Sequence, residues 1–309
     1  MDRSEGERRA AQRPKDQPET EGKRPSGQSG SQRDNNEARR IGLRGEAETI
    51  AGENLQTGIR QTAAQLRLQL AQMTAASQLL ERCAFEEKSR EYLAAMNQGI
   101  CRMLRIVGRM ELSGRLGGET AAVKPAPTDL GALTADLGAR MEGLLERAGV
   151  KLTVKGPERL IARADGELIR QLLLELVANG AKAGKSVTLT LKRDGDNAVF
   201  TVEDDGPGVR PEKLPFLFDS SAQELPDWRR SGNGIAIARR IAALHGGRLV
   251  PVCTAGRGLL VTASIPPNRG GDDALQCPAV EWDRGGFDEA VVGLSHLLPA
   301  GVFAPGEYV

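Results

Sequence analysis

The sequence has few histidines, cysteines and aromatic residues, and each shortage excludes a class of function. Its 309 residues include two histidines, four cysteines and 3% aromatic residues. The cysteines form neither a CxxC pair nor a cluster with histidine, which argues against a zinc site and predicts reduced thiols. With a net charge of +1 and no basic patch beside aromatic residues, we expect neither nucleic acid nor a membrane surface as a partner.

Long apolar runs are also missing. No run approaches the ~20 residues that a membrane helix needs, and the N-terminus is too polar for a signal peptide. These observations predict a cytoplasmic protein. Residues 1–45 are rich in Arg, Glu, Gln, Ser, Gly and Pro, without periodic apolar residues. That composition predicts a disordered, solubilising tail, with a docking arm as the alternative.

Two stretches carry apolar residues at alternating steps of four and three. The first contains Ile59, Ala63, Leu66, Leu70, Met73, Ser77 and Leu80, and the second contains Leu93, Met96, Ile100, Met103, Val107 and Met110. The pattern predicts a helical hairpin. Because a single hairpin leaves its seam exposed, two copies are expected to form a four-helix bundle. A generic coiled coil is the alternative.

A predicted amphipathic helix over Glu167–Ala183 places three polar side chains on one stripe. Glu175, Asn179 and Lys182 stand at i, i+4 and i+7. A carboxylate can activate a water, an amide oxygen can coordinate magnesium, and an ammonium can meet phosphate. The three residues also fit a solvated helix face, although Asn179-Gly180 has low helical propensity.

A carboxylate followed by a glycine turn comes next along the chain. Strand patterns at 187–191 and 199–202 lead into Asp204, and Gly206-Pro207-Gly208 forces a tight turn. Such a turn lets the backbone approach a planar ligand, while Asp204 offers its carboxylate to an exocyclic amine. An ordinary loop is the alternative for this piece alone.

The third piece is a glycine-rich loop that opens a helix, formed by Gly232, Asn233, Gly234 and Ile235. Free backbone amides and the dipole at such a helix start favour an anion. A lone glycine-rich loop is more often a connection than a phosphate cradle. The order of all three pieces, however, predicts a magnesium-nucleotide site.

The stretch from Thr128 to Pro267 resembles the catalytic ATP-binding domain of sensor histidine kinases, in the ATPase superfamily shared with gyrase-type enzymes and the large chaperones. The resemblance is carried by an asparagine box, a first glycine box, a phenylalanine box and a second glycine box, which match Glu175–Lys182, Asp204–Gly208, Leu214–Phe218 and Gly232–Ile237. One departure is Ala236, which stands where the family usually has a third glycine, so the backbone there is expected to approach phosphate less closely.

The resemblance implies ATP and Mg²⁺ as cofactors and a role for each matching residue. It implies Glu175 as the base-like catalytic acid, Asn179 as the magnesium ligand and Asp204 as the contact to the adenine amine. The phosphates would meet Lys182 and the amides of the second glycine box, while Gly206 and Gly208 shape the nucleotide turn.

The expected fold is α+β. A two-layer α/β sandwich, with a mixed sheet covered by helices, is predicted at 117–267, and a dimerising helical hairpin is predicted at 46–116. Residues 268–309 are predicted to be a linker and a C-terminal tail. The apolar pattern over Val291–Leu298 either docks back onto the ATP-binding domain or binds a partner.

The hairpin lacks a histidine, and Thr57 lies about where a phosphoacceptor would fall. Of the two histidines, His245 is expected to be structural and His296 to lie on the surface. The leading hypothesis is a dimeric histidine kinase-like ATPase whose phosphoacceptor, a response regulator or another protein, acts in trans. The alternatives are a serine kinase of the anti-sigma type, a nucleotide-gated scaffold without phosphoryl transfer, and a structural dimer with a vestigial pocket.

Overall fold

The computed structural model describes residues 62–80, 87–116, 123–209, 233–253, 258–266 and 287–305. These residues belong to one compact unit, Glu53–Val309. Several expectations lie outside the described residues: the tail at 1–45, Thr57, the phenylalanine box at Leu214–Phe218, Gly232 and the side chain of Asn233.

Two helices precede the sheet, as the heptad spacing predicts. Helix α1 covers residues 62–80, and helix α2 covers Glu87–Leu116. Ser77 Oγ on α1 donates a hydrogen bond to Asn97 Oδ1 on α2. One apolar row of each helix is buried, and its members are Ala63, Leu70 and Ser77 on α1, and Leu93, Ile100 and Val107 on α2.

Seven strands follow among the described residues, and five of them form one mixed sheet. The strands are β1 Ala126–Asp129, β2 Lys151–Lys155, β3 Ile161–Ala164, β4 Ser186–Asp194, β5 Asn197–Asp204, β6 Arg248–Cys253 and β7 Leu259–Ile265. The large sheet has the order β2-β4-β5-β7-β6, in which only β2 and β4 are parallel. Strands β1 and β3 form a separate antiparallel pair. Along β4 and β7 burial alternates from residue to residue, because one face of the sheet packs on the core.

In the part of the chain that the structure describes, the sheet is covered by the helices α3 Leu130–Arg147, α4 Gly166–Ala183 and α5 Asn233–Leu244. Aspartates cap the first two, since Asp129 Oδ1 accepts from the Gly131 amide at 3.0 Å and Asp165 Oδ1 accepts from the Leu168 amide at 3.2 Å. Helix α3 packs on β2, α4 on β4 and β5, and α5 on β6 and β7. The fold is therefore α+β, with a mixed sheet under helices, as the sequence predicts.

The C-terminal segment, residues 287–305, docks back onto the same chain. It contains the short helix α6, Glu289–Leu294, and a 3-10 helix, Ala300–Phe303. Helix α6 packs against α2, α3 and α4, while the 3-10 helix packs against α2. Of the two possibilities that the apolar pattern over Val291–Leu298 leaves open, the structure shows docking.

Within the described ranges, no helix combines the length and the apolar character needed to cross a membrane.

Two glycines of α3 give a matched test of its packing. A Cβ at Gly138 would lie 2.6 Å from Val154 Cγ2 on β2, whereas a Cβ at Gly143 would meet nothing within 4 Å. We expect Gly143→Ala to raise the free energy of unfolding by about 0.5–1 kcal/mol, because alanine is the better helix former. We expect Gly138→Ala to lower it, since valine is too stiff to yield. Urea unfolding of both variants measures the difference, and equal effects would contradict this packing.

Candidate functional site

Helix α4 carries the predicted polar stripe from the core out to solvent. Glu175 is buried, with 7% of its surface exposed, while Asn179 is half-buried and Lys182 is exposed. The buried leucines of α4 fix the helix on the sheet and so fix the direction of this stripe. From the core to the surface, the stripe thus presents an acid, then an amide, then an ammonium.

Glu175 is held by an arginine of α2. Arg109 Nε donates to Glu175 Oε1 at 2.6 Å, and Arg109 Nη2 donates to Oε2. Arg105 Nη2 lies 3.9 Å from Oε2. Burial and the neighbouring Arg109 charge lower the pKa of Arg105 to about 10, so it stays protonated at neutral pH. Both oxygens of the predicted catalytic acid are therefore occupied by a cation from the hairpin.

The first turn of α5 closes over this ion pair at Gly234. A Cβ at Gly234 would lie 2.6 Å from Glu175 Oε2 and 3.0 Å from Arg109 Nη2. Since there is no room for a side chain, glycine is required here by close approach. Ile235, one residue later, is buried in the core. The second glycine box, the asparagine box and the hairpin meet at this point.

Asp204 ends strand β5 with a buried carboxylate, of which 6% is exposed. Its Oδ1 accepts from the Gly206 amide at 2.9 Å and from the Leu259 amide at 3.3 Å. No described residue donates to Oδ2. Burial raises the pKa of Asp204, and the two backbone hydrogen bonds oppose that rise. The arrangement fixes the carboxylate and leaves one oxygen for a donor outside the described residues.

The glycine turn after Asp204 lies against the end of α4. A Cβ at Gly206 would be 2.7 Å from the Ala183 carbonyl oxygen. Gly208 has φ of +71°, and a Cβ there would be 2.7 Å from Cys253 Sγ. A Cβ at Gly180 would lie 3.4 Å from Asp204 Cβ. The structure therefore brings the asparagine box and the first glycine box together, as the order of the motifs predicts.

Comparison with known families matches residues 164–269 to the family described as the histidine kinase-, DNA gyrase B-, and HSP90-like ATPases. The chain contains a histidine kinase-like ATPase domain. Its sheet, covering helices and two juxtaposed boxes agree with that assignment.

Known histidine kinases are similar to parts of this chain. The circadian input-output histidine kinase CikA of Synechococcus elongatus is 29% identical over 215 residues, which cover 65% of this chain and 28% of CikA. The sensor histidine kinase MtrB of Mycobacterium tuberculosis is 34% identical over 134 residues, which cover 41% of this chain and 24% of MtrB. The chain thus spans about a quarter of the length of these two relatives.

The crystal structure of full-length ShkA in complex with AMPPNP has a similar fold. It matches with a TM-score of 0.58 and 24% sequence identity, covering 70% of this chain and 46% of ShkA.

The two histidines of the chain have different surroundings. His245 follows α5 in a turn, where Nε2 accepts from the Asp165 amide at 3.0 Å and Nδ1 lies 2.8 Å from the Ile241 carbonyl oxygen. The second contact requires a proton on Nδ1, since a carbonyl only accepts. Both ring nitrogens thus hold α5 to the start of α4, which confirms the structural role expected of His245.

His296 is not the surface residue that the sequence predicts. It is half-buried, and its Nδ1 is buried without a hydrogen-bond partner. Burial and the charges of Arg105, Arg109, Lys182 and Arg102 lower its pKa to about 3. The prediction fails because α6 turns the segment toward the hairpin rather than toward solvent.

Three arginines of α2 are the site residues that sequence reasoning misses. Arg102, Arg105 and Arg109 stand at i, i+3 and i+7 on α2, which is the spacing of one helix stripe. Heptad analysis follows only the apolar positions, and this basic stripe lies beside them. Its periodicity was a usable signal, but nothing local identifies Glu175 as its partner.

The position of His296 predicts a pH-dependent stability. Its folded pKa of about 3 lies below the ordinary value of 6.5, so the unfolded chain binds the proton first and stability falls as pH drops below about 6.5. At pH 5.5 the loss should be about 1 kcal/mol relative to pH 7.5. Urea unfolding of the parent and of His296→Gln at both pH values measures this, because glutamine does not titrate. An equal pH dependence in the two proteins would show that His296 is not responsible.

Proposed function

We propose that the ATPase domain binds MgATP between α4, the Asp204–Gly208 turn and the start of α5. The observation that carries the proposal is Asp204, a buried carboxylate whose Oδ1 is held by two backbone amides while Oδ2 remains for a ligand amine. The AMPPNP bound by ShkA supports the same class of ligand.

Each of the other predicted residues takes one part of the ligand in this proposal. Gly206 and Gly208 shape the turn beside the base, since a Cβ at either position would meet the Ala183 carbonyl oxygen or Cys253 Sγ at 2.7 Å. Asn179 is a half-buried amide beside the nucleotide turn, and its oxygen would be one ligand of magnesium. The other ligands of the ion would be water and phosphate oxygens. Exposed Lys182 and the backbone at 232–235 would neutralise the phosphates. In the described part of the chain, no three acidic, cysteine or histidine side chains form a metal cluster.

Phosphoryl transfer, in this proposal, goes to an acceptor on another protein. Neither histidine of the chain lies on the hairpin, and the ring nitrogens of His245 are engaged. The histidine kinases among the relatives support a response regulator as that acceptor. Transfer would depend mainly on positioning and charge neutralisation.

A nucleotide-gated scaffold is the second candidate, and the observation that favours it is the occupation of both Glu175 oxygens by Arg109.

We also propose that the hairpin forms a homodimer. The second heptad row of each helix is exposed, with Leu66 at 44%, Met73 at 46% and Leu80 at 46% on α1, and Met96 at 37% and Met103 at 41% on α2. The seven-residue spacing of these residues is that of a helix–helix seam. A second copy of the hairpin would cover this row as a four-helix bundle.

Calorimetric titration with MgATP tests the nucleotide site. We expect saturable one-site binding by the parent and at least a hundredfold weaker binding by Asp204→Asn, since asparagine replaces a charged acceptor at the base. Asparagine retains a carbonyl oxygen for the Gly206 and Leu259 amides, so thermal unfolding should show an intact fold. Absence of binding by the parent at millimolar MgATP would overturn the proposal.

A second titration separates the metal from the base. Asn179→Asp should abolish the magnesium-dependent part of MgATP binding while leaving binding of metal-free nucleotide within about threefold of the parent, because Asn179 is assigned only to magnesium. Equal loss in both titrations would mean that Asn179 holds the fold or the base instead.

Sedimentation velocity tests the homodimer. Met73→Glu places a charge in the exposed row of α1, and we expect the dimer dissociation constant to rise at least tenfold, or about 1.4 kcal/mol. Ala75→Glu is the matched control, because Ala75 is exposed on the same helix but lies outside that row. A parent that sediments as a monomer at tens of micromolar would refute dimerisation through the hairpin.

A further inference from the structure

The C-terminal segment, residues 287–305, follows helix α2 and is bonded to it along its length. Four side chains of α2 donate to backbone carbonyl oxygens of this segment. The bonds are Asn97 to Phe303 at 3.2 Å, Gln98 to Leu298 at 2.7 Å, Arg102 to Ser295 at 3.4 Å and Arg105 to Gly293 at 2.9 Å. We call this segment the strap.

The opposite side of the strap is fixed to the ATPase domain. Asp288 accepts from Arg140 of α3 at 2.9 Å. Buried Glu289 lies 3.4 Å from Arg170 Nε of α4 and accepts from Gln171. Phe287 and Phe303, near the two ends of the strap, are 2% and 0% exposed. The strap therefore ties α2 to α3 and α4.

Arg105 joins the strap to the nucleotide site. Its Nε donates to the Gly293 carbonyl while its Nη2 lies 3.9 Å from Glu175 Oε2. One helical turn further along α2, Arg109 occupies both oxygens of Glu175. The position of α2 that the strap enforces is thus the position that keeps Arg109 on Glu175.

The contact between α2 and its neighbours combines an apolar part with a polar part. Ile100, Leu104 and Val107 are buried in the shared core, while Arg105 and Arg109 make the hydrogen bonds and ion pairs near Glu175, which can be exchanged for bonds to water. A cavity of about 30 Å³ lies between α2, α4 and α6, bordered by Arg105, Gly108, Arg109, Leu174 and Gly293 among others. Its lining also includes Gln171, Glu175 and Glu289, so polar side chains rather than continuous apolar packing fill this junction.

We propose that the strap is an autoinhibitory clasp: it holds α2 so that Arg109 withholds Glu175 from a bound nucleotide, and its release frees the carboxylate. The inference rests on the proposed MgATP site. Because Arg109 occupies one lone pair on each oxygen of Glu175, an attacking group must compete with the guanidinium for the carboxylate. Release of the strap removes four hydrogen bonds to α2 at once, after which α2 and its arginines can withdraw.

Two glycines of the strap provide a releasing variant and its control. A Cβ at Gly293 would lie 3.2 Å from Leu174 Cδ2, whereas a Cβ at Gly301 would meet nothing within 4 Å. Gly293→Leu therefore wedges α6 away from α4, while Gly301→Leu adds the same side chain in open space. Arg109→Gln is a second variant, which removes the inhibiting cation and leaves the strap in place.

The experiment compares the full-length parent with the three variants in two measurements. Hydrogen exchange of α2 amides in the absence of nucleotide reports whether the strap holds the helix. Release of inorganic phosphate from saturating MgATP reports whether Glu175 is available. We expect faster α2 exchange in Gly293→Leu alone among the glycine variants. Phosphate release should rise at least tenfold in Gly293→Leu and in Arg109→Gln. This increase is smaller than the roughly 10²- to 10⁴-fold that a general base contributes to a reaction rate.

Different outcomes identify different failures. If α2 exchanges faster in Gly293→Leu but phosphate release is unchanged there and in Arg109→Gln, the clasp is not inhibitory. If Gly301→Leu behaves like Gly293→Leu, the wedge argument is wrong. If Gly293→Leu fails to fold, Arg109→Gln alone decides, and unchanged or lower phosphate release in that variant overturns the proposal. If the parent and all variants fail to bind MgATP in calorimetry, the proposed function fails. In that case, equal hydrogen exchange of α2 in Gly293→Leu and Gly301→Leu would also reject the proposal that the strap holds α2.

Discussion

The arrangement of the candidate site depends on one buried ion pair, between Glu175 of α4 and Arg109 of α2. Removing one partner of a buried pair leaves an uncompensated charge and costs about 3–5 kcal/mol. While α2 is docked and Glu175 is buried and charged, a cation from α2 is therefore favoured beside it, with Arg105 as the second cation near the carboxylate. That pairing fixes the rotation of α2 about its axis, and it also explains Gly234, because the first turn of α5 can approach the pair only without a side chain. Three elements that are far apart in sequence are positioned by this single charge.

The two acids assigned to the site differ in what surrounds them. Asp204 is buried among backbone amides, which hold one oxygen and carry no net charge, and burial raises its pKa. Glu175 is buried against a full positive charge. A carboxylate of the first kind remains able to accept from a neutral amine, because its other oxygen is not occupied by a described residue. A carboxylate of the second kind is engaged until its arginine moves. In the proposed site, ligand recognition by Asp204 and chemistry at Glu175 would thus be controlled separately.

The parts of the site that could be predicted from the sequence are those that depend on local pattern. Helical spacing placed Glu175, Asn179 and Lys182 on one stripe, and strand alternation placed Asp204 at the end of β5, because each follows from the burial of one face. The pairing of Arg109 with Glu175 spans 66 residues, and no local pattern selects one arginine of the stripe over another. His296 was misplaced for the same reason. Its environment is set by the charges of Lys182 and the α2 arginines, which lie near it because the strap is docked on α2. The phenylalanine box and the start of the second glycine box remain predictions.

The strap also bears on what the missing hairpin histidine means. A chain that had merely lost its acceptor would need no device to hold the acid, and an unpaired Glu175 could simply face solvent. Here the second helix of the hairpin holds the acid instead: Arg102 and Arg105 donate to the strap at Ser295 and Gly293, and Arg109 meets Glu175. If the proposed clasp is correct, such a helix acts on the ATPase domain by charge and position rather than by receiving a phosphoryl group. In that proposal the hairpin is an input element, and its displacement is the event to which the nucleotide site responds.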